Sequence, residues 1–571
     1  MTSDKIIRIG GGSAFFIDSA LAVPQLLEAG VDYIILDYLA EGAMGLMGRL
    51  RMADAGSGFP TDFMDVHIGP HLARIAETRT KIVANAGAVN PAGLASLLRA
   101  RIAELGIGLN VSCIAGDDLI GRNFPDLPAG LTSVNAYLGA FPIAAALGHG
   151  AEIVITGRVV DSALTLGPLI HEYGWEVEEF TKLAGGTVAG HLIECGAQVT
   201  GGTFTDWRAV DDWTNIGSPI AECLGDGSCI ITKPDGTGGL VSFGTVAEQL
   251  LYEVGDPAAY IVPDVVVDFT TVTLEQIGPD RVRVTGVTGY PPTDTLKVCA
   301  TYDDGWRGIA YQPVIGPEAR EKATKQAKAL FERGSMMLGM RGMADWRRTE
   351  CVLTGSGEEV VSKLIVEHQD AAAAGMFVRE QFAAISAMAP GTSVSFGVQV
   401  QPCMALTSFL IPKAEVAATI DGVPFTGRDV DGFSPAMIVR PKILPGMNAR
   451  LDGIEGSQIP APRSGVQLTV LDLAFTRSGE KGETINIAVI ARKPEYLPTL
   501  RATLAPHRIQ SWFADLGKFD VAIHEVPGIN AFNIVLAGAL PGGINVSQRL
   551  DPAAKGIGQR LLPMRVDIIT A

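Results

Sequence analysis

The first 170 residues alternate short runs rich in Ile and Val with stretches of helical periodicity, and this alternation constrains the fold more than any other feature of the chain. The runs Lys5–Ile9, Tyr33–Asp37, Lys81–Asn85, Gly108–Cys113 and Glu152–Thr156 show little polar alternation, as strands covered on both faces do. Helical patterns lie between them at Ser19–Ala29, closed by Gly30, at Pro91–Leu105, closed by Gly106, and at Tyr137–Leu147, closed by Gly148. Asn90 before Pro91 is a good helix start, because Asn caps free N–H groups and Pro tolerates the first turn. Strand and helix in succession predict an α/β fold: a layered N-terminal domain with a largely parallel sheet.

Beyond it the pattern changes. Residues 200–310 are richer in Thr, Val, Gly and Asp, with strand-like runs at Val265–Thr273 and Arg281–Thr288. Helical patterns return at Pro317–Phe331 and Ala371–Ala387, and strand alternation at Val394–Gln401, so the middle region reads as α+β. Gly, Pro and polar residues crowd 443–465, and 451–465 reads as a linker. The expected division is a core over 1–450, with a sub-boundary near 200–310, and a small C-terminal domain over 466–571. In that domain Gln467–Phe475, Thr484–Ile490, Phe519–Glu525 and Ala531–Leu536 are strand-like, and Glu495–Leu504 and Pro552–Leu562 helical, which suits a ferredoxin-like α+β sandwich.

Composition narrows the function classes. Across 571 residues, 45 Lys+Arg stand against 62 Asp+Glu, a net charge of −17. Such a chain repels polyphosphate, so neither a nucleic acid nor an anionic membrane is expected as a partner. The mean hydropathy is +0.25, yet no apolar run reaches the roughly 18–20 residues of a spanning helix. The nearest, Tyr137 to Thr156, is broken by Pro142, His149 and Glu152. The start MTSDKIIRIGGG lacks the features of a signal peptide. The 7 cysteines form no Cys-x-x-Cys pair, so no zinc site or disulfide framework is expected and a reducing cytoplasm fits.

In an open parallel sheet, ligands gather at the carboxyl ends of the strands. Gly10-Gly11-Gly12-Ser13 follows the first run and reads either as an anion-binding loop of free N–H groups or as a tight turn. It lacks the dinucleotide spacing G-x-G-x-x-G and a Walker Lys, so no nicotinamide, flavin or other cofactor is expected. The second strand leads to Asp37 and Glu41, the third to Asn85 and Asn90, and the fifth to Arg158 and Asp161. Arg158 and Asp161 can hold an anion and position a proton-transfer group, or can simply cap the helix and pair. His191, Glu194, Cys195 and Gln198 share one helical face, offering an acid/base pair beside a thiol; the plainer reading is a buried Cys among polar neighbours. His67 and His71 lack a third ligand, so no metal is expected. Lys233, in KPDGTGG, and the segment RSGEKG at 477–482 read as small anion loops or as turns.

The segments IRIGGGSAFFIDS, NAGAVNP, ITGRVVDSALTLGPLIHEYGW, HLIECGAQVTGG and KPDGTGG resemble the acyclic terpene utilisation family, AtuA, over residues 5 to about 450. The tail, with TRSGEKGETINIAVIARKPEYLP, resembles the ferredoxin-fold domain often fused to it. The resemblance implies a catabolic setting, since founding members belong to gene sets for citronellol and geraniol in which branched acids are degraded as coenzyme A thioesters. It transfers no catalytic residues. The expectation is a cytoplasmic, homo-oligomeric enzyme of lyase or hydratase type acting on a small branched carboxylate or acyl-CoA, coenzyme A entering as part of the substrate. Asp161, His191, Glu194 and Cys195 are the candidate catalytic residues; Gly10, Gly11, Gly12, Ser13, Asn85, Asn90, Arg158, Gln198 and Lys233 are the candidate substrate contacts. The alternatives are a Cys195-dependent thioesterase or amidase, and a non-catalytic assembly subunit whose C-terminal domain is the interaction module.

Overall fold

The computed structural model describes residues 5–395, 397–427, 434 and 468–566. The stretch read as a linker, 451–465, lies outside the described residues. Five parallel strands form the centre of the molecule: β1 (Ile6–Gly11), β2 (Tyr33–Leu36), β3 (Lys81–Ala84), β4 (Val111–Ala115) and, after the strand β5 (Leu131–Ala136), β6 (Ile153–Thr156). Their spatial order is β1-β2-β3-β6-β4. Antiparallel strands extend this sheet, beginning beside β1 with β7 (Ile220–Leu224) and β8 (Cys229–Thr232).

The alternation of buried side chains explains why the parallel runs carry no polar face. Ile7, Ile9, Tyr33, Ile35, Val83 and Val154 enter one core with the helices Phe141–Gly148, Ala163–Tyr173 and Phe180–Ile193. Ile34, Leu36, Ile82, Ala84, Ile153 and Ile155 enter the other, against Ala22–Glu28, Leu72–Thr78 and Pro91–Leu105. Asn90 caps the last of these by accepting the Gly93 N–H at 3.0 Å, as its place before Pro91 predicts.

The middle region is antiparallel. Its long strand Thr295–Ile315 pairs with Glu359–His368, with Gly397–Pro412 and, near its start, with β5. That last pairing corrects one expected boundary: helix begins at Phe141 and not at Tyr137, because the Tyr137 N–H donates to the Lys297 carbonyl at 2.9 Å and continues the strand pairing.

The C-terminal unit is a four-stranded antiparallel sheet, ordered Ala474–Lys481, Thr484–Ala491, Ala531–Ala537, Asp520–Val526. Its first strand starts seven residues later than the run Gln467–Phe475 suggested: Val470–Leu473 is a helical turn closed by a Thr469–Asp472 capping box, and RSGEK is strand rather than loop. Ile485, Ile487, Val489, Phe532, Ile534 and Leu536 face the unit's own helices. The intervening residues face the large sheet's core, which Phe475, Ala488, Ile490 and Ala531 join.

The glycines after β1 have a packing role. A Cβ on Gly10 would meet Leu26 at 2.5 Å, and one on Gly11 would strike the carbonyl oxygen of Ile193 at the end of the helix Phe180–Ile193. The Gly11 N–H donates to Pro219 and the Gly12 N–H to Ile35, both through backbone carbonyls. Ser13 donates its hydroxyl to the Asp37 carbonyl. These residues therefore offer no cradle to an anion, and the reading of Gly10 to Ser13 as a substrate loop is corrected to close strand–helix packing. Replacing Gly11 with Ala is expected to cost about 1–3 kcal/mol of stability or more, read as a lowered denaturation midpoint with the slope unchanged.

Candidate functional site

Several strand and helix ends converge. Asp37 follows β2 and is buried; Asn85, after β3, donates to its Oδ1 at 2.6 Å and accepts the Tyr38 N–H at 2.7 Å. After β6, Arg158 is 1% exposed. Its Nη1 donates to the Leu39 carbonyl at 3.0 Å and to Asp161 Oδ1 at 2.9 Å, and its guanidinium lies 4.1 Å from the centre of the Tyr137 ring. Tyr137 donates its hydroxyl to Glu41 at 3.0 Å, where Lys297 also donates at 3.3 Å. At the end of the helix Phe180–Ile193, His191 Nε2 faces the Leu250 carbonyl at 3.1 Å. A carbonyl only accepts, so that nitrogen carries hydrogen and Nδ1 is the atom that faces Glu194 Oε1 at 3.2 Å.

Some of these groups border a cavity of about 1010 Å³, and the others pack behind its wall. Asp161, His191, Glu194, Tyr137 and Lys297 line it, as do Glu253 and Lys481, while Ile261, Val262, Leu296, Phe409 and Leu410 supply apolar wall. Its electrostatics divide the carboxyls. Burial pushes Glu194 above the usual carboxyl range against the pull of His191. Burial and the neighbouring Asp161 push Asp37 the same way. Glu41 goes down: burial opposes ionisation, but Lys481, Lys297 and Arg158 overcome it. Carboxyls driven apart in one site furnish an acid and a base at a single pH. Arg158 Nε and Glu194 Oε2 are buried without a hydrogen-bond partner among the described residues, a cost that stable cores avoid and functional sites carry.

The structure thus brings Asp161, His191 and Glu194 to one cavity. Arg158 packs behind it and is not among the lining residues, its Nη1 bonded to Asp161 and Leu39, so its expected hold on substrate is corrected to a hold on Asp161. Asn85 positions Asp37. The other expected contacts are engaged elsewhere: Asn90 as a helix cap, Gln198 accepting from Arg477, and Lys233 bonded to the Thr237 carbonyl at 2.7 Å and paired with Asp280 at 3.2 Å. Cys195 is not among the lining residues. Burial, then Glu194 and Glu253, push its thiol well up, which opposes the thiolate a nucleophile requires. Sequence reasoning missed Tyr137 and Lys297, and raised Lys481 only within the segment RSGEKG. The signal for Lys297 was a charge inside the strand-like run TLKVCA, and Lys481 lay in a segment whose anion reading competed with a surface hairpin.

His67 is buried against Tyr38, 3.5 Å from Asp62, and among the described residues no group of three or more His, Cys, Asp or Glu is placed to hold a metal. No described helix is long and apolar enough to cross a membrane. Residues 7–421 match the family described as acyclic terpene utilisation family protein AtuA, and 468–567 match the AtuA ferredoxin-like domain. No curated protein is matched by the chain.

The loop bearing Arg158 hangs on Asp117, whose Oδ2 accepts the Arg158 N–H at 2.8 Å and the Asn135 amide at 2.7 Å. Burial raises this carboxyl from 3.8 to about 7. The folded state therefore keeps a proton that the unfolded chain releases near pH 4, and stability falls as pH rises from about 4 to about 7, by on the order of 4 kcal/mol. Asp117→Asn should remove that slope: the stability of the variant relative to the parent rises across this window and is level above it, in denaturation at a series of pH values.

Proposed function

Because the chain belongs to the acyclic terpene utilisation family AtuA, whose description ties it to the use of branched terpenoid carbon, we propose that it is an enzyme acting on a branched acyl group by acid–base chemistry. The observation that carries this reading is the meeting of Asp161, His191 and Glu194 at one cavity with an apolar wall. Ile261, Val262, Leu296, Phe409 and Leu410 suit a methyl-branched chain. A volume of about 1010 Å³ exceeds what a short acid needs, since pockets of roughly 300–1,000 Å³ hold drug-sized ligands. The excess suits a thioester with part of its carrier arm.

The reaction that fits is addition of water to a branched α,β-unsaturated acyl thioester, or its reverse. Asp161 takes a proton from water as the water oxygen bonds to the β-carbon. The electrons of the C=C π bond pass to the α-carbon and the acyl oxygen, and Glu194 returns a proton to the α-carbon, giving the β-hydroxy thioester. Arg158 fixes Oδ1 of Asp161, leaving its other oxygen to receive the proton. His191, tied to Leu250 on one side, positions Glu194 on the other, and the cycle closes when Asp161 gives its proton to solvent and Glu194 takes one from it. Proton transfer by a positioned group contributes roughly 100- to 10,000-fold. Glu194→Gln and Asp161→Asn, each in folded protein, are therefore expected to slow turnover of branched enoyl-CoA thioesters by that order. Unchanged rates in both variants would remove these roles.

A further inference from the structure

The first strand of the ferredoxin-like domain, Ala474–Lys481, alternates between two faces. Phe475, Arg477, Gly479 and Lys481 fall on the face turned to the large domain. Phe475 enters its core, Arg477 bonds Gln198 and Thr203, and a Cβ on Gly479 would meet the Tyr252 ring at 2.5 Å. The same period continues to Lys481, which reaches the cavity with Thr484, Asn486 and Val535 of the neighbouring strands. The docking is tied from both sides. Asn486 accepts the Glu253 N–H at 2.9 Å and donates to the Leu251 carbonyl at 2.6 Å, and Asn533 donates to the carbonyls of Val254 and Gly255.

Glu253 is held in a conformation that favours glycine, with φ of 59°, and strain of this kind gathers at functional sites. Its carboxylate receives two ammonium groups, Lys481 at 3.2 Å and Lys555 at 3.3 Å. Glu253 thus fixes where both ammonium groups stand. Lys555 lies over the Tyr252 ring, 4.3 Å from its centre, and is not among the lining residues, whereas the Lys481 side chain is 43% exposed and is a lining residue of the cavity. Lys297, the other lysine of the lining, is bonded to Glu41 at 3.3 Å. Against desolvation, the carboxylates Glu253, Glu41 and Asp161 keep Lys481 charged well past the usual lysine range.

We propose that the ferredoxin-like domain completes the substrate site, and that Lys481 is the cation that receives the negatively charged acyl oxygen of the substrate. A carboxylate of a free acid and the enolate oxygen that develops in a thioester present the same chemistry to its ammonium. The assignment rests on the acid–base reading for its location but not for its test, because binding requires no turnover.

Calorimetry with citronellate as the anionic probe and citronellamide as its uncharged counterpart reads the assignment directly. The parent protein should prefer citronellate. Lys481→Met should weaken citronellate by roughly 10- to 100-fold, as expected for a lost charge-assisted hydrogen bond, and leave citronellamide within about twofold. Lys481→Arg should restore most of the preference. The assignment is overturned if Lys481→Met keeps the preference, if it loses both probes together, if Lys297→Met alone abolishes the preference, or if the parent does not bind citronellate. Should Glu194→Gln and Asp161→Asn leave turnover intact while Lys481→Met loses the preference, the acid–base roles go and the anion site stands.

Discussion

The architecture of the site depends on one buried charge. Arg158, at the end of the central strand β6, has left water almost completely, and a guanidinium survives there only if paired and hydrogen-bonded. Asp161, the Leu39 carbonyl and the Tyr137 ring perform that task. Each draws in a further element: Tyr137 holds Glu41, and Glu41 is bonded by Lys297 of the middle sheet. Neutralising Arg158 thus links the parallel sheet, the segment after β2 and the antiparallel region. Breaking such a pair from one side costs roughly 3–5 kcal/mol, so these groups are fixed by stability before any substrate arrives.

A second constraint acts through parity. Side chains of the C-terminal sheet alternate between its own helices and the large domain, and both faces contribute to a buried core. Once Phe475 is in the core, Arg477, Gly479 and Lys481 must lie on the same side. A domain that sequence alone allows to be an assembly module is therefore seated where its strand end meets the cavity. The buried amides Asn486 and Asn533 make the seat specific, since each satisfies backbone groups of the segment Leu251 to Gly255.

Much of the frame was legible because it is local. The apolar runs, the Asn90 cap and the helix stops depend on neighbours a few residues away, and they stand within a few residues of where they were expected. His191 and Glu194 were legible as a pair for the same reason, three positions apart at one helix end. The glycines at 10–12 misled because a run of glycines signals either free N–H groups or close approach, and the helix end that approaches them comes from residue 193. Lys233 misled in the same manner, its partner Asp280 lying 47 residues further on (280 − 233). RSGEK looked like a turn because Ser, Gly and charge are turn residues when exposed, whereas here they line a docked strand.

By itself, the sequence determined the α/β class, the family, the strand ends that carry polar residues and the acid/base types available at them. These follow from periodicity and from motifs whose residues are adjacent in the chain. Tertiary structure alone decided which polar ends share a cavity, that Arg158 faces inward, and that lysines 297 and 481 join residues from the first third of the chain. Those outcomes depend on which surfaces bury one another, and burial is a property of pairs far apart in sequence that no local pattern encodes.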